Sequence, residues 1–326
     1  MKVGLINLIL CFLISVMIAP PIIKWLRKLK FGQSILVYVE QHKTKSGTPT
    51  MGGIIIVLSA IIGYVFNWDK NNILATISIL SLLFFGMLGF LDDFIKIKFK
   101  HNEGLKPYQK IIGQLGIATI IAIYIYMSDL VGGSVLIPFT NRAIYLGWFI
   151  IPFVIIFYIA VVNSVNLLDG LDGLCGGVSS IVFIVFSVVL AILSSALDSV
   201  YFQELNNIII VTLGVAGAIL GFLCFNFYPA RVFMGDTGSL AIGGFLASIL
   251  ALTREYLLIF VIGAVFVVTS LSVIVQVFSF KVFKKRIFKM TPIHHHFEYY
   301  YHESKVTSLY YVVTLLLGVL TIALYI

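Results

Sequence analysis

Five aspartates stand at the ends of hydrophobic runs in a chain with little other charge. They are Asp92 and Asp93 in LDDFIK at 91–96, Asp169 and Asp172 in NSVNLLDGLDG at 163–173, and Asp236 in NFYPARVFMGDTGS at 226–239. Carboxylates are the hard oxygen donors that Mg²⁺ takes together with phosphate oxygens. Ionisable groups beside membrane-length apolar segments are costly and mark function by default. The pattern points to a metal and phosphate site at a membrane face, and so to an enzyme acting on phosphates at a bilayer.

Each motif has a plainer reading that the chemistry must outweigh. Asp92 and Asp93 end an apolar run, where a carboxylate opposes the helix dipole by about 0.3–1 kcal/mol, so something other than the helix end must hold them. Neighbouring helical residues point roughly 100° apart. Two roles are therefore expected, one carboxylate facing the site and the other holding Lys96 or a backbone amide; the plain alternative is a solvated end paired with Lys96 and Lys98. Asn166, Asp169 and Asp172 recur at i, i+3 and i+6, which groups them on a helix, and Gly170 and Gly173 let a nucleotide approach the backbone. An Asp-Gly turn is the alternative, but a plain turn has little use for Asn163 and Asn166 as well. Asp236, flanked by Gly235 and Gly238 after the break at Pro229, reads as an N-cap, as a cation ligand, or as both. A helix N-terminus there also favours phosphate.

The sequence TPIHHHFE at 291–298 follows Lys281, Lys284, Lys285, Arg286 and Lys289. Consecutive histidines lack the i, i+4 spacing of a zinc helix, so His294, His295 and His296 read as phosphate contacts, and the basic run as a lipid-headgroup surface. HKTKSGTPTMGG at 42–53 offers Lys43, Lys45, the Thr48 and Thr50 hydroxyls and turn-forming glycines. It does not match the phosphate-binding P-loop pattern.

The elements that must position these residues are apolar helices. Hydrophobic residues make up 60% of the 326 and charged residues 11%, against roughly 45–50% and 25% in soluble domains; mean hydropathy is +1.07. Ten apolar runs, near 3–23, 51–66, 73–91, 111–128, 144–162, 175–197, 207–225, 238–252, 257–280 and 306–326, predict an all-α polytopic membrane protein of about ten spans. The second and eighth are short and glycine-bearing, so a half-helix or an interrupted helix is the alternative to a span at either. With 24–50, 92–110, 163–174, 226–237 and 281–305 on one side, all but Lys2, Lys70, Arg142 and Arg254 of the 22 lysines and arginines share that side. The positive-inside rule makes it cytoplasmic and puts both termini outside. The active face is then the cytoplasmic one, with the net charge of +8 concentrated where anionic lipids and substrates meet it. Nucleic acid is excluded for want of a soluble docking domain. Cys11, Cys175 and Cys224 show no metal or disulfide spacing. The first run ends in a basic cluster without a cleavage site and reads as a retained helix, and residues 1–326 read as one domain.

Taken together and in this order, GTPTMGG, LDDFIK, NSVNLLDGLDGL, NFYPARVFMGDTGS and PIHHHFE resemble the phospho-MurNAc-pentapeptide translocase (MraY) family, within the polyprenyl-phosphate N-acetylhexosamine-1-phosphate transferase superfamily. The resemblance runs from about residue 20 to the last span. It implies transfer of phospho-MurNAc-pentapeptide from UDP-MurNAc-pentapeptide to undecaprenyl phosphate, giving lipid I and UMP with Mg²⁺, in a bacterial inner membrane and by a homodimer. It also implies that Asp92, Asp93 and Asp236 are essential acids, Asp236 being the Mg²⁺ ligand. Lys45, Asn166, Asp169, Asp172, Asn226 and Phe233 go to the nucleotide and sugar-phosphate pocket, with Phe233 stacked on uracil, and His294, His295 and His296 to the pentapeptidyl sugar or the phosphates. Direct attack by the lipid phosphate, its last proton removed by Asp92 or Asp93, is the simpler scheme; an aspartyl-phosphate path stays open. A relative using a GlcNAc-1-phosphate type sugar would share the aspartates but not TPIHHHFE and GTPTMGG. A transporter would carry polar residues at span centres and an inverted repeat, neither of which is visible.

Overall fold

The computed structural model describes residues 1–28, 47–68, 72–99, 104–140, 142–194 and 199–326. Its helices are α1 (Lys2–Lys28), α2 (Gly53–Phe66), α3 (Ile73–Lys98), α4 (Pro107–Met127), α5 (Ile150–Leu168), α6 (Leu174–Ser194), α7 (Ser199–Asn226), α8 (Gly235–Leu252), α9 (Ala264–Phe283), α10 (Ile293–Glu298) and α11 (Glu303–Tyr325). Between α4 and α5 a short antiparallel hairpin pairs β1 (Ser134–Leu136) with β2 (Ala143–Tyr145), Val135 opposite Ile144.

Among the described residues nine helices are long and apolar enough to cross a membrane, and each belongs to one of the ten expected runs. One of them is α8, whose run could also have held a half-helix or an interrupted helix and which is continuous over 18 residues. The remaining run, α2, has 14 residues, or roughly 21 Å at 1.5 Å per residue, short of the ~30 Å hydrocarbon thickness. It still joins the two faces of the bundle. Its first residue meets Gly238 beside the acidic residues, and Asn67 just beyond its end donates to Asn7 Oδ1 at 2.9 Å near the start of α1.

The chain alternates between a face that carries the acidic motifs and the face opposite. α1 and α7 run parallel, Gly217 against Leu8 and Gly221 against Phe12. On the opposite face Glu204, near the start of α7, accepts the Ile73 and Leu74 amides at 3.2 and 3.1 Å and so caps α3, whose own Asn72 supplies no cap. The hairpin lies on that face too, Leu136 N donating to Arg254 O beyond the end of α8. α11 ends there, with Tyr325 Oη donating to Glu255 at 3.4 Å.

α8 is the centre of the molecule. A helix that is apolar all round must be enclosed on every side, and every residue from Thr237 to Leu252 is buried. α3 lies against it almost backbone to backbone: a Cβ on Gly89 would overlap the carbonyl oxygen of Asp236, and one on Gly53 of α2 would overlap Gly238. The closeness sets how far the α3 carboxylates reach into the first turn of α8.

Gly89→Ala is expected to lower the thermal midpoint in detergent by several degrees, since overpacking at a rigid contact costs about 1–3 kcal/mol. Gly116→Ala, with no atom within 4 Å of its Cβ, should leave the midpoint unchanged or raise it; equal midpoints for the two variants would sink this account of the α3–α8 contact.

Candidate active site

The last turns of α3 and α5, the first turns of α4 and α8, and the segments before α6, α8 and α10 meet at one face. Asp92 and Asp93 are buried at the end of α3 and, as their angular separation requires, do different things. Asp92 Oδ1 accepts the Leu105 amide at 2.9 Å, and its Oδ2 pairs with Lys96 Nζ at 2.5 Å, one turn on. Asp93 turns to α8, where its Oδ1 accepts Asp236 N at 3.2 Å and its Oδ2 accepts Thr237 N at 2.9 Å and Thr237 Oγ1 at 2.7 Å.

Asp236 lies in the first turn of α8 without capping it. Its Oδ2 receives Lys96 Nζ at 2.9 Å and Lys110 Nζ at 2.8 Å, and its Oδ1 receives Asn166 Nδ2 at 2.8 Å. Asn166 Nδ2 also reaches Ser239 Oγ at 2.8 Å. Lys110 and Asn166 come from helices held together by a half-buried amide pair, Asn163 Nδ2 donating to Gln114 Oε1 at 2.8 Å. Gln114 lies one turn after Lys110 and Asn163 one turn before Asn166, so this pair sets the height of both groups over Asp236.

The loop 169–173 divides its polar groups. Asp172 is buried; its Oδ2 accepts Ala230 N at 2.9 Å, and its amide donates to Glu303 Oε1 at 2.6 Å. Asn226 joins the same two segments, accepting Gly173 N at 3.1 Å and donating to Val232 O at 2.9 Å, while Tyr311 Oη donates to Gly173 O at 2.7 Å. Both residues thus tie loop to loop. Asp169 is half-buried; its amide donates to Asn166 O at 3.2 Å, and its carboxyl makes no hydrogen bond with any described residue. Burial, followed by the charges of Asp236, Asp93 and Asp172, pushes its carboxyl up to about 8.

The three histidines separate. His294 is fully buried under Gly170, where neither ring nitrogen has a partner among the described residues, and burial followed by the charge of His295 pushes it down to about 3, so it is neutral. His295 Nδ1 pairs with Glu298 Oε2 at 2.8 Å, its other nitrogen near Gly170. His296 Nδ1 accepts Lys289 N at 3.2 Å, tethering the basic segment. Phe233 is half-buried, its N donating to Pro49 O and its O accepting from Gly52 N, both at 2.8 Å, so GTPTMGG and VFMGD form one paired unit. Lys45 lies outside the described residues.

Oxygens of Asp92, Asp93 and Asp236 all lie within 4.8 Å of one another. An all-oxygen donor set that gathers two ammonium groups is chemically suited to a hard divalent cation. Lys96, Lys110, Thr237 and Ser239 were not singled out as site residues from sequence. Lys96 had a legible signal, its i, i+4 spacing from Asp92. Lys110 had none, because the packing of α4 on α5 decides where it points.

The apolar helices make this a multi-pass membrane protein, and the transferase class follows from residues 74–254, which match the glycosyl transferase family 4 model. Residues 45–57 match signature 1 of phospho-N-acetylmuramoyl-pentapeptide-transferase. Proteins of that name from Halalkalibacterium halodurans and Bacillus subtilis are 44% and 43% identical over 302 residues, covering 91% of this chain and 89% and 90% of theirs. The one from Clostridium novyi is 42% identical over 320 residues, covering 97% of this chain and 95% of its own. The chain belongs to the phospho-N-acetylmuramoyl-pentapeptide-transferase family and is an enzyme.

Asp169 yields a pH test. Its folded-state value exceeds the ordinary 3.8, so the stability tied to its protonated form is complete below about 4 and is lost as pH rises toward 8. Asp169→Asn lacks that loss. Its thermal midpoint in detergent should gain on wild type across this window, by about 2 °C or more at pH 8; a constant difference from pH 5 to 8 would show that Asp169 titrates normally.

Proposed function

We propose that the chain transfers phospho-MurNAc-pentapeptide from UDP-MurNAc-pentapeptide to undecaprenyl phosphate, forming lipid I and releasing UMP, at the cytoplasmic face of a bacterial inner membrane. The observation that carries the reading is the convergence of Lys96 and Lys110 on Asp236 Oδ2 beside Asp92, in a chain with the signature at 45–57. The site is built to gather negative charge at a membrane surface and to balance it with fixed cations.

In this reading an oxygen of the lipid phosphate attacks the sugar-linked phosphorus of the UDP-sugar. The bond from that phosphorus to the oxygen bridging it to UMP breaks, and UMP leaves with the electron pair. The lysine ammonium groups neutralise the diphosphate and hold it in line, which is most of what phosphoryl transfer asks of a protein. Asn166 and Ser239 fix the carboxylate about which the lysines gather. Asp92, whose Oδ2 lies in the ion cluster, is placed to take the last proton of the lipid phosphate; Asp93 is occupied by α8. A bound Mg²⁺, held by Asp236 with Asp92, would supply Lewis-acid charge to the phosphate oxygens. The three α8 donors that occupy the Asp93 carboxylate disfavour an aspartyl-phosphate on that residue, and direct attack needs no such intermediate. Asp169, whose carboxyl has no hydrogen-bond partner among the described residues, and half-buried Phe233 are the groups we assign to the nucleotide, and His295, oriented by Glu298, to the pentapeptidyl sugar.

Purified protein given UDP-MurNAc-pentapeptide, undecaprenyl phosphate and Mg²⁺ should release UMP, and should release none from UDP-GlcNAc. Release from UDP-GlcNAc alone would move the chain to the sister activity, and release from neither would overturn the reading. Lys110→Met should lower kcat about 10²-fold, the usual cost of losing one fixed charge-stabilising donor, with the thermal midpoint preserved. Wild-type turnover in that variant would remove Lys110 from the mechanism.

A further inference from the structure

The three neighbouring carboxylates of the cluster do not share one kind of surroundings. Asp92 and Asp236 pair with ammonium groups, whereas the hydrogen bonds that Asp93 makes among the described residues all come from the first turn of α8. That turn has the unpaired N–H groups of any helix start. Its own N-cap residue, Met234, gives no side-chain cap. Asp93 reaches across from α3 and takes the Asp236 amide, the Thr237 amide and the Thr237 hydroxyl. Three donors occupy most of the roughly four acceptor positions of a carboxylate, at a residue 1% exposed. Gly235 adopts φ 72°, and a Cβ there would press on Asp93 Oδ2 and Thr50 Oγ1. The main chain thus leaves Asp93 little room to turn elsewhere.

We propose that Asp93 is a positioning residue: its carboxylate caps α8 from a neighbouring helix and so fixes where Asp236 presents its own carboxylate to Lys96, Lys110 and a divalent cation. It neither moves the proton nor ligates the cation. The residue that receives the Asp93 bonds and the residue that faces the lysines are adjacent, so a loosened first turn displaces Asp236 directly.

The geometry also predicts how an amide would behave. Asn at 93 carries one oxygen, and either orientation sets its NH₂ against the Asp236 or the Thr237 N–H. Asp93→Asn is therefore a broken cap as well as a lost charge, and sensitivity to it does not by itself make Asp93 chemical. Thr237→Val separates the two, because it removes one cap bond and leaves the carboxylate intact.

The test uses the full-length protein in detergent and reads hydrogen exchange over residues 234–240, Mn²⁺ binding by electron paramagnetic resonance, and the pH profile of kcat. Asp93→Asn and Thr237→Val should both speed exchange in that segment and weaken Mn²⁺ binding by about tenfold or more, as outer partners of metal ligands do. Asp236→Asn should weaken Mn²⁺ binding with exchange near wild type. Thr237→Val should lower kcat with the UDP-sugar KM and the acid limb unchanged, and Thr237→Ser should restore both exchange and Mn²⁺ binding. Wild-type exchange and Mn²⁺ affinity in Thr237→Val would overturn the proposal, as would a flattened acid limb in the residual activity of Asp93→Asn. If Asp93→Asn does not fold, the two Thr237 variants still decide. The kcat arm rests on the transfer reaction proposed above. Failure of that reaction in the wild type would leave the exchange and Mn²⁺ arms to judge the cap alone.

Discussion

The close contact between α3 and α8 governs the rest of the structure. A helix that begins inside an apolar bundle exposes N–H groups with no water to receive them, and its dipole concentrates positive charge at that end. Here the partner comes from α3, and it can arrive because Gly89 lets the two backbones meet at the carbonyl of Asp236. One carboxylate of an adjacent pair is thereby turned into α8. The other pairs with Lys96, one turn on.

Lys96 and Lys110 meet Asp236 in a half-buried setting, where desolvation offsets much of the attraction. Such a cluster is a poor means of holding helices together, and the helices do not depend on it. The amide pair Gln114–Asn163 and the glycine contacts fix their relative heights without net charge. The ionic groups are thus carried by a frame that stands without them, as expected of groups kept for chemistry, and they lie at helix ends where charged ligands can arrive from water.

The 169–173 loop shows how similar polar residues are given different work by their surroundings. Asp172, Asn226, Glu303 and Tyr311 tie its backbone to the segments before α8 and at the start of α11. The Asp169 carboxyl has no hydrogen-bond partner among the described residues, and Gly170 beside it lies against the neutral His294. A loop so fixed can present one carboxyl group in a constant place.

Much of this was legible in the sequence. Composition and run length alone make the chain a polytopic helical protein, because backbone groups in lipid must be satisfied within helices. The shortness of the second run was visible in its residues, as was the divergence of Asp92 and Asp93, which follows from the helical repeat. Grouping of the acidic motifs at one face followed from the charge pattern of the loops. Tertiary structure decided the pairings. Lys110 joins Asp236 across 126 residues and Thr237 joins Asp93 across 144, and no local period encodes such distances. Whether α8 is continuous was left open by the sequence for the same reason, since its glycines serve contact with neighbouring helices, not a break. HHH reads as one motif in the chain, yet a short helix turns its members about 100° apart, sending one into the core, one to Glu298 and one to the basic segment. Sequence determines which groups are present and which face of each helix they share; only the packing of helices against one another determines which group each one meets.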